Sequence, residues 1–370
     1  MSVSINKMKR ILIISSEFPP QPGGIGKHAY HLATYLKAEG LEVKVIADVR
    51  SKAGKEERTF DDSNDFETIR IANKRPRIKM YLARLARSRR LALESDIVIA
   101  TGKFSLWAGA LLGALAKVKR IAIVHGTEVN FKNPLLRQSI NFSLTRFDEV
   151  VAVSNYTKSL ISHLDIQIRV IPNGVVVDRW RASHKPRARI EGCPKLVTVG
   201  NVTERKGQLN VIKHLPALLE TFPKLYYHCI GITTNAEQFR EEAKRLKVDG
   251  SLGFHGRLNE TDLKETLQQA DIFVMLSKET RTGDVEGFGI ALLEANAMGV
   301  PVIGSKGCGI EDAIKGGYNG ELIDYRKGDE FLKSISLILN ERADYAENAK
   351  NWAKAHDWSR IIQDYLALMN

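Results

Sequence analysis

Two glutamates and a glycine turn hold the densest chemistry in the chain. In residues 281–304, RTGDVEGFGIALLEANAMGVPVIG, Glu286 stands before Gly287-Phe288-Gly289-Ile290, and Glu294 follows two helical turns later in the sequence. A helix beginning near Phe288 would hold Glu286 at its mouth and Glu294 inside it, separated by a rise of roughly 12 Å along the axis. The N–H groups of the turn would then lack intrahelical acceptors and lie at the positive end of the helix dipole, an arrangement that suits phosphate. The two carboxylates would repel phosphate at short range and suit hydroxyls on either side of it. The ligand described is a diphosphate with a sugar at each end. Surface glutamates on an ordinary amphipathic helix would give the same spacing, so the rest of the chain must decide.

Other polar groups stand where strands run into loops. Residues 195–199 read as a strand followed by the loop GNVTERKG, which carries Asn201, Arg205 and Lys206, and then a helix over 208–220. Residues 120–124 read as a strand ending at His125-Gly126-Thr127-Glu128, at the carboxyl end where ligands of open α/β sheets bind. Near the start, EFPPQPGGIG at 17–26 has too many prolines and glycines to continue the strand at 9–16. Gly24-Ile25-Gly26-Lys27-His28-Ala29 matches a dinucleotide fingerprint formally, but the first glycine does not turn directly off the strand, as that fingerprint requires. A P-loop fits worse, because His28 stands where Ser or Thr is needed.

The elements that position these groups alternate. A helix is expected over 27–39 with Gly40 as its stop, then strands at 41–47, 96–101, 120–124 and 149–154, with a helix at 105–116. Residues 50–68 show no period and read as a connection with an edge element. The second half repeats the theme, with strands at 195–199, 225–230, 271–276 and 300–304 and a glycine turn at 306–309. Alternating strands and helices imply parallel sheets covered on both faces. At 370 residues the chain exceeds one ordinary core, so two domains of similar size are expected, with 179–193 as a basic, aperiodic linker.

Composition narrows the function classes. The chain is 44% hydrophobic and 26% charged, as soluble globular proteins are. It contains no apolar run of membrane-spanning length and no secretory leader, which places the expected site of action in the cytoplasm. Cys193, Cys229 and Cys308 have no metal-ligand spacing and read as small core residues. The net charge of +12 belongs wholly to residues 1–180, with 29 Lys and Arg against 17 Asp and Glu. That half is therefore expected to meet an anionic partner. Residues 74–90 concentrate the charge, interleaving Lys74, Arg75, Arg77, Lys79, Arg84, Arg87, Arg89 and Arg90 with Ile78, Tyr81, Leu82 and Leu85. This basic amphipathic helix reads either as a peripheral contact with an anionic membrane or as a solvated face on a core-packed helix. Nucleic acid is not expected, since no nucleic-acid fold motif accompanies the charge.

These motifs resemble the retaining nucleotide-sugar glycosyltransferases of family 4, whose fold is GT-B. The likeness rests on the Glu286 to Glu294 arrangement, on the GNVTERKG loop and on His125-Gly126-Thr127-Glu128, and it spans nearly the whole chain. It implies two doubly wound Rossmann-like domains facing across a cleft, an acceptor domain at 1–178 and a nucleotide-sugar domain at 194–356, with a helix at 357–370 packing back on the first. By resemblance His125 and Glu286 hold the transferred sugar and Glu294 holds the ribose. Gly256, Arg257 and Leu258 lie by the base, Gly24 and the turn of Gly287, Phe288, Gly289 and Ile290 by the diphosphate, and Lys27 and His28 by the acceptor. In the family a Gly-Arg pair and a Lys-Gly pair grip the diphosphate. Lys206 matches the lysine, but Asn201 stands where arginine is expected, and an amide cannot supply a charge-assisted bidentate contact. One phosphate cation is missing unless Arg205 or another residue replaces it. The implied reaction moves a hexosyl or N-acetylhexosaminyl unit from a UDP- or GDP-type donor to a glycan or lipid-linked acceptor of the cell envelope, with retention and without a metal or other cofactor. A sugar-nucleotide epimerase of the same fold, or a membrane-surface binding protein with a vestigial site, are the alternatives.

Overall fold

The computed structural model describes residues 8–51, 53–72, 77–112, 118–181, 186–187 and 189–369, with Arg77 by its backbone alone. Lys74 and Arg75, and the end of the helix expected at 105–116, lie outside the described residues. The chain forms two compact units, Met1–Ile171 with Trp358–Asn370, and Pro172–Asp357.

The first unit runs β1 (Arg10–Ser15), α1 (Gly24–Ala38), β2 (Glu42–Asp48), α2 (Lys55–Asp61), β3 (Glu67–Ile71), α3 (Arg77–Ala92), β4 (Ile97–Thr101), α4 (Lys103–Leu112), β5 (Lys119–Val124), α5 (Pro134–Leu144), β6 (Glu149–Ala152), α6 (Asn155–Leu160) and β7 (Ile168–Val170). Its seven strands are parallel in the order β3-β2-β1-β4-β5-β6-β7. The order reverses between β1 and β4, both of which are almost entirely buried, as strands covered on both faces must be. Right-handed crossovers place α1 and α2 on one face and α3, α4 and α5 on the other.

The second unit runs β8 (Lys195–Val199), α7 (Gln208–Thr221), β9 (Tyr226–Ile230), α8 (Ala236–Arg245), β10 (Leu252–Phe254), α9 (Glu260–Gln269), β11 (Ile272–Met275), α10 (Ile290–Ala297), β12 (Val302–Ser305), β13 (Gly320–Ile323), α11 (Gly328–Asn340) and α12 (Arg342–Ala355). Its six parallel strands lie in the order β10-β9-β8-β11-β12-β13, reversing between β8 and β11. Val175 N–H donates to His356 O at 2.9 Å and Val177 N–H to Asp357 Oδ2 at 2.9 Å. These bonds assign residues 175–177 to this unit, so the first unit's main segment ends earlier than position 178. The last helix, α13 (Trp358–Met369), belongs to the first unit, where it buries Trp358, Ile361, Ile362 and Tyr365 beside α1.

Three local readings change. Gly24 opens α1 instead of lying in a loop, so the proline turn ends at Gly23. Residues 55–61 form a helix without apolar periodicity because a buried acid anchors it: Glu57 Oε1 accepts from the backbone N–H of Arg50 at 2.9 Å and of Ser51 at 2.7 Å. In α3 the faces are turned from the expected pattern. Arg84 is 2% exposed, paired with Asp48 and lying 4.1 Å over the Phe104 ring, whereas Ile78 and Leu82 are each 59% exposed.

Candidate functional site

Open parallel sheets bind ligands beyond the strand ends where the order reverses. In the second unit that point lies between β8 and β11, so the loop after β8 and the loop leading to α10 become neighbours. Gly207 lets them close, with φ +79° and so little room that an added Cβ would lie 1.9 Å from Leu276 O. Asn210 Nδ2 donates to Leu276 O at 2.8 Å, Lys278 N–H to Arg205 O at 3.3 Å, and Lys278 Nζ pairs with Glu204 at 2.7 Å.

Four charged side chains meet between these loops. Lys206 Nζ is 2.9 Å from Glu286 Oε2, and the Arg205 guanidinium binds the same oxygen through Nη1. Arg205 Nε donates to Asp284 Oδ2 at 3.0 Å. The Glu286 backbone is fixed as well, its carbonyl accepting from Gly309 N–H at 2.9 Å, and a Cβ on Gly309 would lie 2.0 Å from Gly287 O. Burial pushes the Glu286 carboxyl up, but Arg205 and Lys206 together outweigh it and hold the group below its ordinary range. Burial draws the Lys206 ammonium down, aided by Arg205 and opposed by Glu286 and Glu294.

The helix mouth differs in detail from the expected one. α10 starts at Ile290, two residues later than expected, because Gly289 caps it in the left-handed region at φ +85° and the Phe288 ring is buried. Glu294 is buried in the second turn. Asn201 is exposed, and its backbone carbonyl accepts from Gln208 Nε2 at 3.2 Å. Gly256, Arg257 and Leu258 follow β10, two strands out from β8. Gly256 O accepts from Gly231 N–H at 2.8 Å, and a Cβ on Gly231 would meet Gly200 O at 2.2 Å, so one close-packed rim runs across the strand ends.

In the first unit His125 directly follows β5, buried, with Nε2 2.8 Å from Thr101 Oγ1 at the end of β4 and its backbone N–H donating to Glu128 Oε1 at 2.6 Å. Burial takes the His125 pKa down to about 3. Burial also pushes the Glu128 carboxyl up to about 7, with the backbone amides of Glu128 and His125 opposing. His28 is fully buried. Its Nε2 lies 3.0 Å from Tyr365 OH, and its ring packs against His125 at 5.0 Å and Trp358 at 5.3 Å. Burial sets its pKa well below the ordinary value. His28 therefore stands behind His125, supporting it, and does not present its ring to solvent where an acceptor would meet it. Gly24 is exposed and Lys27 half-buried at the start of α1. The sequence alone pointed to neither Thr101 nor Asp284. Thr101 carried one usable signal, its place at the carboxyl end of a strand beside the reversal.

Two all-parallel doubly wound units, the second gathering cations and a carboxylate at its strand reversal, have the architecture of a GT-B glycosyltransferase. Residues 22–179 match the Glycosyltransferase Family 4 model and residues 181–356 the Glycosyl transferases group 1 model. A GDP-mannose-dependent monoacylated alpha-(1-6)-phosphatidylinositol monomannoside mannosyltransferase of Corynebacterium glutamicum is 30% identical over 328 residues, 83% of this chain and 82% of that protein. A glycogen synthase of Mycobacterium tuberculosis is 28% identical over 402 residues, covering 97% and 94%. Among solved structures, Anabaena Alr3699/HepE in complex with UDP shares the fold at TM-score 0.81 and 18% identity, covering 98% of this chain and 99% of that one. The chain belongs to glycosyltransferase family 4.

Proposed function

We propose that the protein moves a hexosyl or N-acetylhexosaminyl unit, with retention, from a UDP- or GDP-linked donor to a hydroxyl of a lipid-linked glycan. The observation that carries this reading is the convergence of Arg205 and Lys206 at the β8 and β11 strand ends, beside the mouth of α10. A nucleoside diphosphate is already a good leaving group, so the protein's task is to stabilise charge on its phosphates as the glycosidic bond breaks. Two cations and a helix N-terminus supply that stabilisation. No metal ion is needed for it. Glu286 would contact the sugar and Glu294 the ribose, while the acceptor hydroxyl enters on the face the diphosphate leaves and a phosphate oxygen takes its proton. Gly24 and Lys27 would lie towards donor and acceptor, and His125 beside the sugar. Gly256, Arg257 and Leu258 would receive the base.

A lipid-linked acceptor is favoured over a polysaccharide by the outer face of α3, α4 and α5. This layer exposes Ile78, Leu82, Leu135 and Phe142 together with Lys79, Arg87, Arg89 and Arg90. Beside it a groove of about 460 Å³ is lined by Ile71, Met80 and Ala83 together with Lys79, Arg87 and Arg90. Apolar side chains ringed by cations suit an anionic membrane surface, and no described helix is long and apolar enough to cross one. The protein would then work peripherally at the inner face of the cell membrane. The test follows nucleotide release from UDP-, GDP-, ADP- and dTDP-sugars with and without a lipid-diphosphate glycan extract. Acceptor-stimulated release of one nucleotide, lost in Lys206→Ala, supports the transferase. Acceptor-independent turnover would replace it with an epimerase or a hydrolase.

A further inference from the structure

We propose that Asp284 is a positioning residue that makes Arg205 the second phosphate cation, taking over the task of the arginine absent at position 201. This rests on the donor reading above.

Arg205 is held from two sides. Its Nη1 binds Glu286, and its Nε donates to Asp284 Oδ2 at 3.0 Å. When a sugar engages Glu286 and a phosphate takes its place on the cations, the Nη1 bond to the carboxylate is given up. The Asp284 bond lies on the other edge of the guanidinium and can persist. Asp284 is itself fixed by a closed turn: its N–H donates to Thr280 Oγ1 at 3.0 Å, its carbonyl accepts from Thr280 N–H at 3.0 Å, and Gly283 N–H donates to Thr280 O at 3.0 Å. The guanidinium thus keeps its aim while its inner partner changes.

The pair is poorly explained as a stability device. The side chains of Arg205 and Asp284 are 25% and 43% exposed, and ion pairs so accessible to water add little to folding. The arrangement also puts the cation at position 205 and not at 201. Asn201 is exposed with no cation to offer, whereas Arg205 reaches the oxygen that Lys206 contacts. A guanidinium held on one edge by a carboxylate keeps its other N–H groups in a fixed fork for a phosphate.

The experiment measures the dissociation constants of UDP, GDP, ADP and dTDP, and of the matching nucleosides, by titration calorimetry of the full chain. For the tightest diphosphate, Arg205→Ala and Asp284→Asn are each expected to weaken binding about tenfold or more, the scale of one charge-assisted contact. Nucleoside binding and the unfolding midpoint should stay near wild type. Arg205→Ala/Asp284→Asn should bind no more weakly than Arg205→Ala, because Asp284 acts through Arg205. Asn201→Arg in the Arg205→Ala background should restore diphosphate affinity. Diphosphate binding that ignores both single substitutions, or losses that add in full in the double variant, would overturn the inference while leaving the donor reading intact. A wild type that binds no nucleoside diphosphate would overturn both.

Discussion

Lys206 Nζ lies 2.9 Å from Glu286 Oε2, the oxygen that the Arg205 guanidinium also engages. The carboxylate that would meet the sugar therefore occupies, without donor, the cations that the diphosphate requires. Glu286→Gln should bind free nucleoside diphosphate several-fold more tightly, because a competing charge is gone, and yet lose transfer by about 10²- to 10³-fold. Lys206→Ala should lose both. Calorimetry beside a nucleotide-release assay separates the two, and weaker diphosphate binding by Glu286→Gln would refute the competition.

His125 should stay neutral across the physiological range, since burial takes its pKa down to about 3. It would then contribute no break to the transfer rate between pH 5 and 8. Its effect is on stability. The unfolded chain takes up a proton near pH 6.5 that the native ring refuses, so this contribution is complete above 6.5 and is lost as pH falls towards 3. Buried His28 acts in the same direction. Urea midpoints from pH 4 to 8 should rise with pH, less steeply in His125→Asn than in wild type. Equal slopes would mean that the ring titrates normally.

Gly207 has φ +79° and no room for a side chain against Leu276 O. Gly207→Ala should cost about 1–3 kcal/mol in backbone strain alone, and separating the two loops should lower donor affinity further. Thermal unfolding with and without nucleoside diphosphate measures both losses. An unchanged midpoint would show that the loops tolerate the separation.

The helical layer opposite α1 exposes Leu135 at 75% and Phe142 at 61%, as well as the cations of α3. Leu135→Ser with Phe142→Ser should reduce co-sedimentation with vesicles rich in phosphatidylglycerol by about tenfold, given 1.5–3 kcal/mol for each large apolar side chain fully buried and only part of that at an interface. Ile232→Ser with Leu337→Ser, in the other unit, should leave it unchanged. Raised salt should weaken the binding further. Equal loss from both pairs would argue against a localised surface.

Much of this was readable from residue order because strands buried on both faces appear as apolar runs. Ile11–Ile14 and Ile272–Met275 are such runs, and each leads into a glycine-bearing loop. The Glu286 and Glu294 spacing and the Lys206 loop were equally plain. What stayed hidden depends on tertiary contact. α2 is fastened by a buried carboxylate, which leaves no apolar period to detect. Arg84 points inward because Asp48 and Phe104 receive it, reversing the faces that a helical wheel assigns to α3. The partnership of Arg205 with Asp284 joins loops separated by two complete strand-helix repeats, and no local pattern encodes it.

That separation has a kinetic side. β8 and β11 lie side by side, but the chain between them forms β9 and β10 on the opposite side of β8. Pairings between distant segments bear the full loop-closure entropy and form slowly. The charge cluster is thus assembled by one of the least local pairings in its unit, and recovery of nucleotide binding during refolding should trail recovery of helical signal. A bound nucleotide would then report that the sheet has closed its middle pair.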